Sequence, residues 1–208
     1  MDDERPDEAL MLAFRRGDAR AFEALVRRHR RSVFNFILRF TGDASRSEDL
    51  LQETWLKVVR SAGEYEPKAR FTTWLYTIAR NLCTDLARRE RLRETDSLDA
   101  PVEGHAGGEG LPLGERLIAD DPLPDRAAHA HRLQAVLMLA LASLPAEQRE
   151  VFCLREFAGV PFRGIAAITH TPENTVKSRM RYALEALRMF LERKGVEGEW
   201  DSERSVAS

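Results

Sequence analysis

The stretch PFRGIAAITHTPENTVKSRMRYALEALRMFLERK, Pro161 to Lys194, reads as two helices around a tight turn. The first is a short apolar run of Phe162, Ile165, Ala166 and Ile168, and the turn is Thr169-His170-Thr171. The second helix carries its own start signal. Thr171 can cap it, Pro172 suits the first helical position, and Glu173 complements the positive end of the helix dipole. Along it Val176, Met180, Leu184, Leu187 and Leu191 recur at spacings of three and four, which predicts one buried stripe. Another face near its start carries Asn174, Lys177, Ser178, Arg181 and Tyr182. Short side chains and bidentate donors in the positive field at the front of a helix suit the base edges of a duplex major groove. The window holds seven Lys and Arg against three acids. An ordinary amphipathic hairpin with solvated charges needs none of the short turn, the Thr-Pro start and this charge excess. Together they predict a DNA-reading helix-turn-helix.

The net charge of −2 over 208 residues conceals a strong segmentation. Residues 1–94 hold nineteen basic and sixteen acidic side chains, and residues 95–131 hold two and eight. Residues 132–161 balance at three each, 162–194 carry seven against three, and 195–208 one against four. Two basic blocks therefore flank an acidic middle. The hydrophobic content of 43% and charged content of 32% are those of a soluble globular chain, with room for two small domains. Membrane insertion is not expected, because no apolar run approaches spanning length and the start has no basic, apolar signal pattern. A cytoplasmic location follows. Cys83 and Cys153 lie far apart without a CxxC pair, so neither a disulfide framework nor a zinc site is expected; both read as small buried residues. No cofactor is expected.

Residues 7–40 read as helical, interrupted at Gly17-Asp18, with Phe22, Leu25, Val26, Val33, Phe36, Ile37 and Phe40 inward. Arg27, Arg28, Arg30 and Arg31 around His29 read as a solvated face, with a nucleic-acid patch as the alternative. Ser45-Arg46-Ser47-Glu48 is a capping-box pattern after the break at Thr41-Gly42-Asp43. In the helix it opens, Leu51, Trp55, Val58 and Val59 face a core. Asp49, Gln52, Glu53 and Leu56 share another stripe, three and four residues apart. Spacing alone leaves docking on a basic partner and plain solvent exposure equally open for that stripe. Gly63 and Pro67 mark a loop over 60–70, and FTTWLYTIARNLCTDLARRERLR forms the next helix. Phe71 and Trp74 lie on its apolar face, with Arg70 and Asn81 beside them. Aromatic, Arg and Asn side chains at a loop–helix junction suit an unstacked base held by its phosphates; Trp74 reads as core, Arg70 and Asn81 as candidates. From residue 95 to 126, glycine, proline and acids predict a linker without a core. Helix returns over 127–142, restarts at Ser143-Leu144-Pro145, and runs into the helix-turn-helix; 195–208 reads as a disordered tail.

Four stretches, DLLQETWLKV (Asp49 to Val58), FTTWLYTIARNLCTDLARR (Phe71 to Arg89), LPAEQREVFCLREFAG (Leu144 to Gly159) and TPENTVKSRMRYALEALR (Thr171 to Arg188), stand in the order found in a known family. With them the chain resembles the extracytoplasmic-function (ECF) sigma factors, the compact branch of the sigma-70 family of bacterial RNA polymerase subunits. The resemblance implies an all-α chain. A region 2-like four-helix domain over 7–94 and a region 4-like helix-turn-helix domain over 127–194 are joined by the acidic flexible linker 95–126. It implies that the first domain binds core polymerase and melts the −10 element while the second reads the −35 element. Asp49, Gln52, Glu53 and Leu56 match the face that docks on the clamp helices of the largest subunit, which decides the open reading of that stripe. Region 4 is implied to meet the flap of the second-largest subunit. Arg70, Phe71, Asn81, Arg88 and Arg89 match the place where single-stranded non-template −10 DNA is held. Thr171, Asn174, Thr175, Lys177, Ser178, Arg179, Arg181 and Tyr182 match positions that approach duplex −35 DNA. The linker matches a segment that threads polymerase, where its acidity fits a channel built for nucleic acid. An anti-sigma partner is also implied.

Three positions depart from the family pattern. Gly164 stands where an acidic residue is common, His170 where the turn commonly has Gly, and Asn174 where another Gly is frequent. His is among the residues that tolerate a positive φ. A different class of function, a stand-alone regulator that binds duplex DNA without polymerase, would shift DNA by itself. An enzyme is the least supported reading, since no phosphate-binding glycine loop or convergent nucleophile and base appears.

Overall fold

The structure is a computed structural model that describes residues 3–97 and 134–194. Four helices form the first part: α1 (Asp7–Arg15), α2 (Ala19–Thr41), α3 (Ala44–Arg60) and α4 (Phe71–Ser97), with a 3₁₀ turn at Ala62–Glu64. The second part has α5 over residues 134–142, then α6 (Ala146–Glu156), α7 (Phe162–Thr169) and α8 (Glu173–Arg193). The described residues contain no strand, in line with the all-α expectation. Helix α4 includes the first three residues of the expected linker, 95–97. The remainder of the linker and the tail lie outside the described residues.

Local chemistry sets the breaks. The Asp18 carboxylate accepts from the backbone N–H groups of Arg20 and Ala21, at 3.1 and 3.2 Å, and so caps α2. At the other end Gly42 adopts φ 76°, a left-handed cap that a residue with a Cβ would resist. Asp43 then caps α3 by accepting from the Arg46 N–H at 3.0 Å. The expected capping box at Ser45 is therefore displaced by two residues. Ser47 is buried instead, its hydroxyl donating to the Asp43 carbonyl at 2.5 Å. The start of α4 is capped from a distance: Glu8 of α1 accepts the Phe71 N–H at 2.8 Å.

The first core is aromatic. Phe36, Tyr65, Phe71 and Tyr76 are almost completely buried, and the Phe36 and Tyr76 rings meet edge-on at 5.5 Å. Trp74 packs on Tyr65 at 5.0 Å, as a core residue should. Burying each large apolar side chain contributes roughly 1.5–3 kcal/mol. Val59, expected inward, is 42% exposed. It stands about 100° around the helix from Val58, and only Val58 meets the core. A similar correction applies to α8, where Val176, Met180, Ala183 and Leu187 are buried while Leu184 is 41% exposed. Two successive steps of four carry position 184 off the stripe, and Ala183 fills the site.

The two parts are not separate bodies on a tether. Helix α4 packs on α7 and α2 on α6, so one buried apolar cluster runs through both. Arg80 of α4 donates to Glu150 of α6 at 2.6 Å, and the Arg39 guanidinium lies 4.0 Å over the Phe157 ring. Cys83 and Cys153 are both buried, as expected for small core residues.

Burial pushes the Cys83 and Cys153 thiols from 9.0 up to about 12, and the Tyr65 and Tyr76 hydroxyls from 10.0 up to about 12. These groups are favoured neutral in the fold. Their contribution is complete below the unfolded values and is lost as pH rises through the folded ones. The thermal midpoint is expected to fall steeply between about pH 9 and 12. A Cys83→Ala variant should show a shallower decline; calorimetry or circular dichroism across that range checks it, and a parallel decline would contradict the assignment.

Candidate nucleic-acid interface

Turn geometry comes first. His170 sits at φ 52°, ψ 41°, the left-handed conformation anticipated for the turn position. The N–H groups of His170 and Thr171 both converge on the Ala166 carbonyl, which closes α7 tightly. Pro172 is the residue flanking α8, and its carbonyl accepts the Val176 N–H at 3.1 Å. Thr171 does not cap the helix with its side chain. Its hydroxyl donates to the Thr169 carbonyl at 3.1 Å, one residue too early in the chain to reach the α8 amides.

Asn174, Thr175, Lys177, Ser178, Arg181 and Tyr182 are all exposed on α8. Lys177 pairs with Glu173 at 2.9 Å, an exposed i,i+4 pair worth about 0.3–0.5 kcal/mol that a phosphate can readily displace. The Arg181 guanidinium lies 5.0 Å from the Tyr182 ring centroid, so the two form one aromatic and cationic feature. Arg179 corrects the sequence reading. It donates to Glu147 at 2.5 Å and to the Thr171 hydroxyl at 3.3 Å, and only 22% of its side chain is exposed. It ties α8 to the start of α6 and holds the turn; it does not face outward.

On α3, Asp49, Gln52, Glu53 and Leu56 are all exposed along one stripe, with Leu56 at 53%. Val59 extends the same surface, which gives two apolar side chains beside two acids. Asp49 and Glu53 also line a groove of about 300 Å³ between α3 and α4, opposite Leu86 and Arg89. Arg46 bridges the end of that groove to Glu90. Arg89, expected with the −10 residues, thus shares the acidic groove.

Arg70, Asn81 and Arg88 are exposed and stand eleven and seven positions apart. Seven positions are close to two helical turns, so Asn81 and Arg88 lie along one side of α4, while Arg70 is the residue just before its first turn. Phe71 does not join them. Its ring is completely buried between Tyr65, Trp74 and His29, so the helix register that exposes Arg70 turns Phe71 inward. The base-holding role expected of Phe71 cannot fall to its ring in this arrangement. Beside Arg70 is an open hollow of about 490 Å³ lined by Asp7, Glu8, Pro67, Ala69 and Thr72.

Sequence reasoning missed the residues that hold these faces in place. Glu8 anchors the loop before α4, and Asp7 receives both Arg28 and the His29 Nε2, the latter at 2.7 Å. Part of the arginine face read as solvated is therefore tied to α1. The partners lie twenty or more positions apart, beyond any local spacing rule. Among the described residues no helix is long and apolar enough to cross a membrane.

Comparisons with known proteins agree with this architecture. The Sigma-70 region 2 family model matches residues 25–93, and that for Sigma-70, region 4 matches residues 134–187. The RNA polymerase sigma-H factor of Pseudomonas aeruginosa is 32% identical over 183 residues, covering 87% of this chain and 91% of that protein. The ECF RNA polymerase sigma factor SigW of Bacillus subtilis is 30% identical over 177 residues, covering 85% and 92%. The solved structure of CnrH in complex with the cytosolic domain of CnrY is similar in fold, with a TM-score of 0.64 at 21% identity, over 90% of this chain and 97% of that one. Sigma factor RpoE from Bartonella quintana, solved with the anti-sigma factor NepR, gives 0.62 at 24% identity, over 82% and 96%. The chain belongs to the sigma-70 family, in its ECF branch, and acts as a sigma factor that directs RNA polymerase to promoters. Sigma factors are not enzymes.

The left-handed turn residue supplies a direct check on the helix-turn-helix. His170→Val places a β-branched side chain at positive φ and is expected to cost about 1–2 kcal/mol, whereas His170→Gly should be neutral or stabilising. Urea unfolding of the two variants measures the difference; equal stabilities would contradict the turn geometry.

Proposed function

We propose that the chain divides promoter engagement among three exposed surfaces, working in the cytoplasm on core polymerase. Asp49, Gln52, Glu53 and Leu56, extended by Val59, dock on the clamp helices of the largest subunit, and region 4 meets the flap of the second-largest. The acids steer a basic partner surface, and Leu56 and Val59 supply apolar area that has no partner within the described chain. Arg70, Asn81 and Arg88 hold the displaced non-template −10 strand. The two arginines neutralise phosphates while the Asn81 amide presents a donor and an acceptor to a base edge. Asn174, Thr175, Lys177, Ser178, Arg181 and Tyr182 enter the −35 major groove, with Arg179 and Thr171 as the bracket that orients them.

The observation that carries this reading is the segregation of exposed chemistry: an acidic and apolar stripe on α3, and cationic and amide-bearing stripes on α4 and α8. A basic partner and a polyanion require opposite faces. No observation favours the stand-alone regulator. Two of the similar structures are complexes whose partners are named CnrY and NepR, the latter an anti-sigma factor; a protein of that class is the regulator proposed for this chain.

The test is run-off transcription with purified core polymerase. Transcripts from a cognate promoter are expected only when this chain is present. The triple change Asp49→Ala, Gln52→Ala, Glu53→Ala should lower them at least tenfold without unfolding the chain. Lys177→Ala with Arg181→Ala should weaken −35-dependent initiation by roughly 1–3 kcal/mol for each base that is no longer read. Transcription independent of the chain, or a tight duplex shift without polymerase, would overturn the proposal.

A further inference from the structure

The five residues that lead into α4, Glu66 to Arg70, are exposed along their whole length. Their internal bonding is slight. The Lys68 N–H donates to the Glu66 carbonyl at 2.8 Å, and the side chains of the same two residues form an exposed ion pair. An exposed pair is too weak to offset the conformational entropy of five ordered residues. The shape of this loop must come from what holds its ends.

Both ends are held by α1. At the front, Arg15 Nη1 donates to the Tyr65 carbonyl at 2.9 Å; at the back, the Glu8 carboxylate accepts the Phe71 N–H at 2.8 Å. Glu8 and Arg15 stand seven positions apart, close to two turns, so they leave one side of α1 about 10 Å apart along its axis. The rise of one helix therefore sets the span of the loop. The Phe71 N–H is among the first-turn amides of α4 that have no partner inside the helix. Beside it the Arg70 carbonyl accepts the Thr73 N–H at 3.0 Å, so Glu8 fixes the turn through which Arg70 enters α4. Helix α1 is itself pinned. Leu10, Met11 and Ala13 are buried, and Asp7 receives both the Arg28 guanidinium and the His29 Nε2 of α2. Glu8 also lines the hollow beside Arg70, but its Oε1 is committed to the backbone of Phe71.

We propose that Glu8 and Arg15 are positioning residues for −10 capture: α1 splints the loop at both ends and presents Arg70 to the displaced strand in a preset place relative to Asn81. The inference rests on the reading above that Arg70 and Asn81 hold that strand. A loop held in its bound shape beforehand loses less conformational freedom on binding, and the gain falls on single-stranded −10 contact alone.

Amide hydrogen exchange of the full chain reads the splint without DNA. Glu8→Ala and Arg15→Ala should each speed exchange across residues 66–71 at least tenfold, while peptides from α2 and α3 keep their wild-type rates. Glu8→Gln keeps an acceptor oxygen and should restore the wild-type rate. The holoenzyme reads the role. On a fork-junction template whose −10 non-template strand is already unpaired, each alanine variant should bind at least fivefold more weakly. Affinity for core polymerase should stay within twofold of wild type. Glu8→Ala added to Arg70→Ala should weaken the fork complex by less than a further twofold, because both act through Arg70.

Wild-type exchange in either alanine variant, or a Glu8→Gln chain as fast as Glu8→Ala, would overturn the splint. Faster exchange with unchanged fork binding would overturn the positioning role. So would an equal loss of core binding, the mark of a destabilised domain, or full additivity with Arg70→Ala. If Arg70→Ala and Asn81→Ala both bind the fork as wild type does, the −10 reading fails and the positioning role with it, while exchange still decides the splint.

Discussion

The ion pair between Arg80 and Glu150 determines how the two halves of the chain meet. Glu150 is almost fully removed from water, and a carboxylate there requires a cation or loses several kcal/mol of hydration without return. Taking the partner away would cost roughly 3–5 kcal/mol, yet the net stabilisation from such a pair is small because both ions were desolvated to make it. The pair therefore acts mainly on geometry: it ties α4 to α6 at one point and contributes little net stabilisation. Arg39 works in the same direction. Its guanidinium gains the face of Phe157, worth about 0.5–2 kcal/mol, but leaves a donor buried and unsatisfied. The polar contacts between the two parts are therefore specific rather than strong, while the shared apolar cluster supplies the burial.

The same economy explains how α4 serves several neighbours. One side supplies Phe71, Leu75 and Tyr76 to the first core, another meets α7 at Thr73 and α6 at Arg80, and the remainder carries Asn81 and Arg88 outward. Its start is held by Glu8 of α1, so the position of Arg70 and the loop before it depends on a helix some sixty residues upstream. The first helix is thus part of the site's framework although it contributes none of the three outward side chains.

Helix type, the helix-turn-helix, the exposed α3 stripe and the outward face of α8 were legible because each depends on residues within about one or two turns of each other. His170 was legible for a similar reason: its own backbone conformation is the signal. What could not be read arises between distant residues. Arg179 looks like its neighbours Lys177 and Arg181 on any helical projection, and only the fold brings Glu147 to it. Phe71 shows an aromatic at a loop–helix junction, but whether such a ring stacks on a base or fills a core depends on Tyr65 and His29 closing over it. Gly164 stands out in the sequence only as a departure from the family pattern. A Cβ there would crowd Val160 nearby and also Thr73, ninety-one positions away. Spacing rules see the faces of single helices; they do not see which face another helix covers.

Charge pairing sets how the surface meets nucleic acid. Much of the basic surface already has acidic neighbours: Arg28 with Asp7, Arg46 with Glu90, Lys177 with Glu173, Arg179 with Glu147 and Arg188 with Glu192. Duplex affinity depends on cations that replace condensed counterions, and each paired cation must first give up its acid. A net charge of −2 then gives little attraction to DNA from a distance. Weak single contacts become useful only when two act on one duplex, because the second then binds at an effective concentration set by geometry. Low net charge and paired cations thus act in the same direction: each weakens single contacts with DNA, and binding then depends on contacts made together.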